Sequence, residues 1–166
     1  MEIRLARIDD RLIHGQVALV WSKESGANRI IVISDKVAND EIRSTLVKQA
    51  APPGIKVNVV SVEKAGRVFK NPKYESEKVF LLFENPEDVV RSIKEGIDIT
   101  ILNVGGMQYK DGKLRVSKAV FVNHDDIKNF DILHEQGVTL DGRVVASDPK
   151  LDFYDELTKI KIREEI

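Results

Sequence analysis

The chain has 166 residues, and its 26 basic and 27 acidic side chains leave a formal net charge of −1. This balance gives no support for nucleic-acid binding, which favours a basic excess. The absence of cysteine excludes disulfides, thiolate nucleophiles and zinc–cysteine sites. No apolar run approaches the roughly 18 residues of a membrane-spanning helix, and the charged N-terminus is unlike a signal peptide. We expect one domain over residues 1–166, located in the cytoplasm.

The first predicted element is a strand over residues 1–8, in which apolar and charged side chains alternate. A helix is predicted next, because Val17, Val20 and Trp21 recur at helical spacing. We interpret Trp21 as the anchor of that helix in the core. Residues 7–17 therefore connect a strand to a helix.

Further strands are predicted where short apolar runs are bounded by turn-forming residues, at 28–34, 55–61, 78–83, 98–104, 119–122 and 138–145. Helices are predicted between them from apolar residues at a 3.6-residue period, at 35–51, 62–70, 86–96, 124–136 and 149–161. Gly105-Gly106 is interpreted as a turn. Asp111-Gly112 is interpreted as the turn of a hairpin.

The alternation of strands and helices predicts a three-layer α/β fold. Its central sheet should be mostly parallel, with about six to seven strands and helices on both faces. The loops after strands one, two, three and five should gather at one edge of the sheet. In open α/β sheets, ligands bind at this edge, beside the carboxyl ends of the strands.

Residues 7–17 read Arg-Ile-Asp-Asp-Arg-Leu-Ile-His-Gly-Gln-Val and concentrate charged groups in the first strand-to-helix connection. The first N–H groups of a helix lack internal partners, and with the helix dipole they favour an anion. Gly15 and Gln16 stand where the helix should begin, so we expect them to bind phosphate. His14 directly before them, with Arg11 three residues back, is placed to carry a phosphoryl group.

Three further residues of this stretch have open roles. The side chain of Arg7 could face the site or the solvent. One of Asp9 and Asp10 could accept a hydrogen bond from the His14 ring, or could hold Arg11 in place. Alternatively, the two acids could bind a metal together with His14. The remaining histidines, at 124 and 134, are interpreted as surface residues.

The same eleven residues resemble the active-site loop of the IIB component of the mannose/fructose/sorbose family of the bacterial phosphoenolpyruvate-dependent sugar phosphotransferase system. Length and element order are similar over nearly the whole chain. The resemblance implies that His14 accepts a phosphoryl group on Nδ1 from the IIA component. It further implies transfer to a sugar during uptake through the IIC and IID membrane components. In this role Arg11 supplies positive charge to the transition state.

We therefore expect a phosphotransferase that works as a phosphohistidine carrier and needs no cofactor or metal. Its expected partners are the IIA component, the membrane components IIC and IID, and a sugar reached through IIC. Neither nucleic acid nor direct insertion into the membrane is expected, so membrane association should be peripheral, through these partners. Two alternatives stay open: a metal-dependent phosphohydrolase that uses Asp9, Asp10 and His14, and a non-catalytic module that senses anions.

Overall fold

The structure, a computed structural model, describes the backbone of residues 1–166 and all side chains except those of Gln16 and Val17. In this described backbone the strands are β1 (Glu2–Asp9), β2 (Arg29–Ile33), β3 (Lys56–Val60), β4 (Lys78–Phe83), β5 (Ile101–Gly106), β6 (Leu114–Ser117), β7 (Val120–Val122) and β8 (Thr139–Asp141). The α-helices are α1 (Gly15–Ser25), α2 (Asp35–Ala38), α3 (Glu41–Gln49), α4 (Val62–Phe69), α5 (Pro86–Lys94), α6 (His124–Glu135) and α7 (Phe153–Arg163).

The central sheet contains six strands in the order β3-β2-β4-β1-β5-β8. Every neighbouring pair in it is parallel, so all six strands end at the same edge. β1 lies between β4 and β5, near the middle of the sheet. Strands β6 and β7 form a separate antiparallel pair. The predicted fold, a mostly parallel sheet in a three-layer α/β arrangement, is confirmed.

Two apolar clusters cover the two faces of the sheet. The cluster on the α1 side contains Leu12, Ile13, Trp21 and Val37 together with side chains from β2 and β4. The larger cluster on the opposite face is formed by α4 to α7 and the β6–β7 pair. Trp21 is only 3% exposed, which confirms its prediction as a core anchor. Burial of each large apolar side chain contributes roughly 1.5–3 kcal/mol, so these faces supply most of the driving force for folding.

The helix predicted over residues 35–51 is wrong in one respect, because the structure divides it into α2 and α3. Asp40 adopts an extended backbone conformation between them, and its carboxylate accepts a hydrogen bond from the Arg43 N–H at 3.0 Å. This is an N-cap, which begins a new helix. The apolar pattern did not reveal the break, since Val37 and Val47 are buried on either side of it.

The strand predicted over residues 138–145 is also too long, because β8 ends at Asp141. The Asp141 carboxylate accepts a hydrogen bond from the Arg143 N–H at 3.2 Å, which turns the chain out of the sheet. The Gly142 N–H then donates to the Leu151 carbonyl at 2.7 Å. The last helix begins at Phe153 rather than at residue 149, because Asp152 is its N-cap.

The hairpin predicted at Asp111-Gly112 lies elsewhere. These two residues form a turn before β6, whereas β6 and β7 are joined at Lys118-Ala119. A turn-forming dipeptide indicates a reversal of the chain but does not determine which strands pair across it.

Asp88 is a buried acid in the first turn of α5. Its side chain is 12% exposed and lies 3.3 Å from the Arg91 guanidinium. Burial raises the pKa of the Asp88 carboxyl from 3.8 to about 6, although Arg91 acts in the opposite direction. The folded state therefore holds this proton more tightly than the unfolded chain does. The contribution of Asp88 to the free energy of unfolding should therefore fall as the pH rises from about 4 to about 6 and then level off.

We expect Asp88→Asn to remove this pH dependence, because the amide has the same shape and no charge. The gain in free energy of unfolding over wild type should be larger at pH 7 than at pH 4, by up to about 3 kcal/mol. Urea unfolding at both pH values measures the difference. The control is Glu87→Gln, which removes an exposed charge from the same turn. Parallel pH profiles for wild type and Asp88→Asn would contradict the assignment.

Candidate active site

The end of β1 buries two opposite charges. Arg7 and Asp9 are 2% and 1% exposed, and both point to the α1 side because they lie two residues apart on a strand. Arg7 Nη2 donates to Asp9 Oδ2 at 3.1 Å, and Arg7 Nη1 donates to Asn103 Oδ1 at 2.6 Å. Burial lowers the pKa of Arg7, with Asp9 opposing the shift, but arginine keeps its charge in proteins. The hypothesis that Arg7 is a surface charge is therefore wrong.

Two glycines make room for this buried pair. A Cβ atom on Gly105 would lie 2.0 Å from Cζ of Arg7, and one on Gly106 would lie 3.1 Å from Oδ1 of Asp9. Both residues belong to β5, the strand beside β1, so the predicted Gly105-Gly106 turn is wrong. Glycine inside a strand often marks a close approach of another group, and here that group is charged.

His14 meets Asp9 from the other side. Its Nε2 atom lies 2.9 Å from Asp9 Oδ2, and its side chain is 24% exposed. A carboxylate can only accept hydrogen bonds, so in the neutral imidazole Nε2 carries the ring proton and Nδ1 keeps a lone pair. His14 is also the N-cap of α1, but its side chain makes no capping hydrogen bond to the helix. The imidazole is therefore oriented by Asp9.

A tight turn brings these two residues together. The Leu12 N–H donates to the Asp9 carbonyl at 2.8 Å, and Leu12 adopts a left-handed conformation with φ of 60°. Such a φ costs a residue other than glycine about 1–2 kcal/mol. The Leu12 side chain is 3% exposed in the α1-side cluster, and this burial offsets the strain.

The two remaining charged residues of the loop, Arg11 and Asp10, have different partners. Arg11 donates its backbone N–H to Asp9 Oδ1 at 3.2 Å, and its Nε lies 3.9 Å from the same oxygen. Its side chain is 53% exposed, so the guanidinium can reach a ligand in solvent. Asp10 instead accepts hydrogen bonds from Gln108, at 2.7 Å from the backbone N and 3.2 Å from Nε2.

The structure thus brings Arg7, Arg11 and His14 onto one carboxylate, that of Asp9. Asp10 contacts Gln108 instead and does not complete the metal-binding set of the alternative hypothesis. Within the described residues, no group of three or more His, Asp or Glu side chains could hold a metal ion. Gly15 begins α1, as predicted. The predicted role of Gln16 lies outside the described side chains.

The other two histidines, His124 and His134, are not among the residues that contact Asp9. Both are exposed on α6, as predicted, and His134 stacks on the Tyr154 ring with centroids 3.7 Å apart.

Sequence reasoning missed the polar groups behind Arg7. Asn103 is 1% exposed, and its Nδ2 donates to the Arg143 carbonyl at 2.9 Å and to Asp141 Oδ2 at 3.2 Å. The guanidinium groups of Arg7 and Arg143 lie 5.2 and 5.5 Å from the ring centroid of Trp21. The sequence does contain a signal for this contact, since Asn103 is the single amide in an otherwise apolar strand. A buried polar group needs hydrogen-bond partners, so its presence there indicates polar neighbours.

Comparison with known proteins identifies the family. Residues 3–165 match the protein family described as the sorbose subfamily IIB component of the phosphotransferase system. A sorbose-specific EIIB component from Lacticaseibacillus casei is 57% identical over 160 residues, which cover 96% of this chain and 98% of the relative. The mannose-specific EIIAB component of Escherichia coli K12 is 53% identical, over 96% of this chain and 50% of that protein. The crystal structure of the IIB domain of the Klebsiella pneumoniae sorbose permease has a TM-score of 0.93 at 55% identity, covering 96% and 98% of the two chains.

The chain belongs to the sorbose-subfamily IIB components of the sugar phosphotransferase system. This confirms the resemblance carried by residues 7–17, and with it the predicted class of phosphotransferase. None of the helices in the described part of the chain has the length and apolar character needed to cross a membrane.

We expect Gly105→Ala to destabilise the protein by about 3 kcal/mol, because the new methyl group would displace a buried guanidinium from its partners. Gly106→Ala is the matched comparison, since its Cβ meets Asp9 at a longer distance. Its loss should be about 1 kcal/mol. Urea unfolding of both variants gives the free energies. Equal stability of the two variants would show that Arg7 has an alternative position.

Proposed function

We propose that this chain is a phosphohistidine carrier that accepts a phosphoryl group on His14 from a IIA component and transfers it to a sugar. The observation that carries the proposal is the hydrogen bond between His14 Nε2 and Asp9 Oδ2. It leaves the Nδ1 lone pair as the nucleophile on a partly exposed ring. We propose that residues 1–166 act in this way as a single IIB domain.

The proposed transfer requires little proton chemistry at His14. Nδ1 forms a bond to phosphorus as the phosphorus–nitrogen bond of the donor imidazole breaks and its electron pair returns to the donor. In the second step a sugar hydroxyl oxygen attacks phosphorus, the hydroxyl proton passes to solvent, and the electron pair of the broken phosphorus–nitrogen bond returns to Nδ1. Throughout, the Asp9 carboxylate accepts a hydrogen bond from the Nε2–H. Its negative charge stabilises the positive charge that the ring acquires.

Arg11 and the start of α1 are the proposed phosphate-binding groups. Phosphoryl transfer depends mainly on positioning and on positive charge near the equatorial oxygens. The exposed guanidinium of Arg11 can supply that charge. Asp9 positions this residue by accepting a hydrogen bond from its backbone N–H and by lying close to its Nε atom. The backbone N–H groups from Gly15 and Gln16 onward are proposed to add neutral donors at the helix terminus. Arg7 and Asp9 support the ring from the protein interior, while Asp10 acts only on the neighbouring loop.

The proposed partners are a IIA component, the membrane components IIC and IID, and a sugar bound through IIC. The EIIAB name of the Escherichia coli relative, of which this chain matches half, supports a IIA component as the donor. The relatives are named for sorbose and for mannose at similar identity, which supports specificity residing in the membrane components. We further propose a cytoplasmic location with peripheral attachment to the membrane through these partners.

Phosphorylated IIA provides the direct test of the acceptor. We expect wild type to acquire an acid-labile, base-stable label in the presence of EDTA, and His14→Ala to acquire none while remaining folded. A loop imidazole contributes little to the core, so folding should survive. The matched controls are His124→Ala and His134→Ala, which should label normally. Release of free phosphate without stable label would favour the hydrolase, and neither label nor release would favour the anion sensor.

Arg11→Gln tests the proposed transition-state charge. We expect the single-turnover transfer rate at saturating protein to fall about 10²–10³-fold, as for other donors to developing charge. Arg11→Lys should recover part of it, because an ammonium offers a charge but no planar fork. The control is Arg67→Gln, which removes an exposed arginine from α4. A saturated rate near wild type, with a defect that fades at high salt, would leave Arg11 only a role in steering the encounter.

A further inference from the structure

We propose that Asn103 is a positioning residue that fixes the orientation and tautomer of His14, acting through Arg7 and Asp9. The inference deepens the proposed function and rests on it for the identity of the acceptor. The hydrogen-bond partners of the Asn103 side chain are Arg7, Asp141 and Arg143, and the His14 ring is not among them. Its influence must therefore pass through hydrogen bonds in the interior of the protein.

The two ends of the Asn103 amide have different partners. Oδ1 accepts a hydrogen bond from Arg7 on the β1 side, at 2.6 Å. Nδ2 donates toward the β8 side, to Asp141 and to the Arg143 carbonyl. The amide is satisfied in only this orientation, because a flipped amide would set its N–H groups against the donors of Arg7. Asn103 thus joins the active-site strand to the β8 end of the sheet.

Arg7 transmits this constraint to the site. Its Nη2 atom and Nε2 of His14 both contact the same oxygen, Oδ2 of Asp9, at 3.1 and 2.9 Å. The position of the guanidinium therefore determines where that oxygen lies for the ring. Without Asn103, a buried guanidinium would lose one acceptor and move toward the oxygens that remain. The Asp9 carboxylate would then shift, and the imidazole would lose its fixed partner at Nε2.

The donor and acceptor sides of Asn103 can be separated by substitution. Asn103→Leu removes both the acceptor toward Arg7 and the donors toward β8, and the leucine side chain has a volume similar to that of asparagine. Asn103→Asp keeps the acceptor toward Arg7 and loses the donors toward β8. It is made together with Asp141→Ala, because its carboxylate would otherwise lie 3.2 Å from Asp141 Oδ2. The matched control is Val104→Ala, which weakens the same strand from the opposite face of the sheet, where Val104 is fully buried. If Asn103→Leu does not fold, Asn103→Ala, which leaves space for water, takes its place.

The decisive readout is the ¹⁵N spectrum of the His14 ring in the unphosphorylated protein, at a pH where imidazole is neutral. Wild type, Asn103→Asp and Val104→Ala should show the Nε2–H tautomer. Asn103→Leu should show signals shifted toward a mixture of the two tautomers. Its single-turnover rate from phosphorylated IIA should fall about 10–100-fold, as for other residues that orient a functional histidine. The KM for IIA should not change, because Asn103 is buried.

Two results would overturn the proposal. An unchanged His14 spectrum in Asn103→Leu would show that the ring is oriented without Asn103, whatever happens to the rate. If Asn103→Asp gave the same spectrum and rate as Asn103→Leu, the role of Asn103 would be to connect β5 to β8 and not to position Arg7. Because the spectra require no IIA, they remain informative if His14 accepts no phosphoryl group, and that separate result would refute the proposed function instead.

Discussion

The buried ion pair of Arg7 and Asp9 in the central strand is the constraint on which the site depends. Removing two charges from water costs several kcal/mol for each, unless other polar groups replace the lost water. Here Asn103 contacts Arg7, while His14 and the Arg11 N–H contact Asp9. The groups that form the candidate site are thus the same groups that make the buried pair tolerable.

The topology explains why this pair lies beneath a functional loop. The connection after β1 leads toward β2 on one side of the sheet, whereas the chain after β5 continues toward β8 on the other. The crevice between β1 and β5 is therefore a topological switch point, where open α/β sheets bind ligands. The two loops are joined across it, because the Asp10 N–H donates to the Gly106 carbonyl at 3.0 Å and Gln108 donates to the Asp10 carboxylate.

The sequence predicted features that depend on local patterns and missed those that depend on strand pairing. Apolar runs located the sheet strands, and the chemistry of residues 7–17 singled out His14 and Arg11. Nothing local distinguished Asp9 from Asp10, because only the three-dimensional turn decides which acid meets the imidazole. The burial of Arg7 and the need for glycine at position 105 have the same cause, which is the close contact of the Arg7 guanidinium in β1 with the backbone of β5. Neither could be inferred before these strands were known to be neighbours.

The arrangement divides the proposed work of the site between the interior and the surface. The ring is held at Nε2 by a buried carboxylate, while the His14 side chain remains 24% exposed and that of Arg11 53% exposed. A carrier must offer one atom in turn to a donor and to an acceptor, so that atom cannot lie deep in a cavity. A cavity of about 540 Å³ does exist at the β8 edge of the sheet, but His14 is not among its lining residues. Rigidity therefore has to come from beneath the ring, where Asp9 contacts Arg7, the Arg11 N–H and the His14 ring, and not from a pocket that encloses the phosphoryl group.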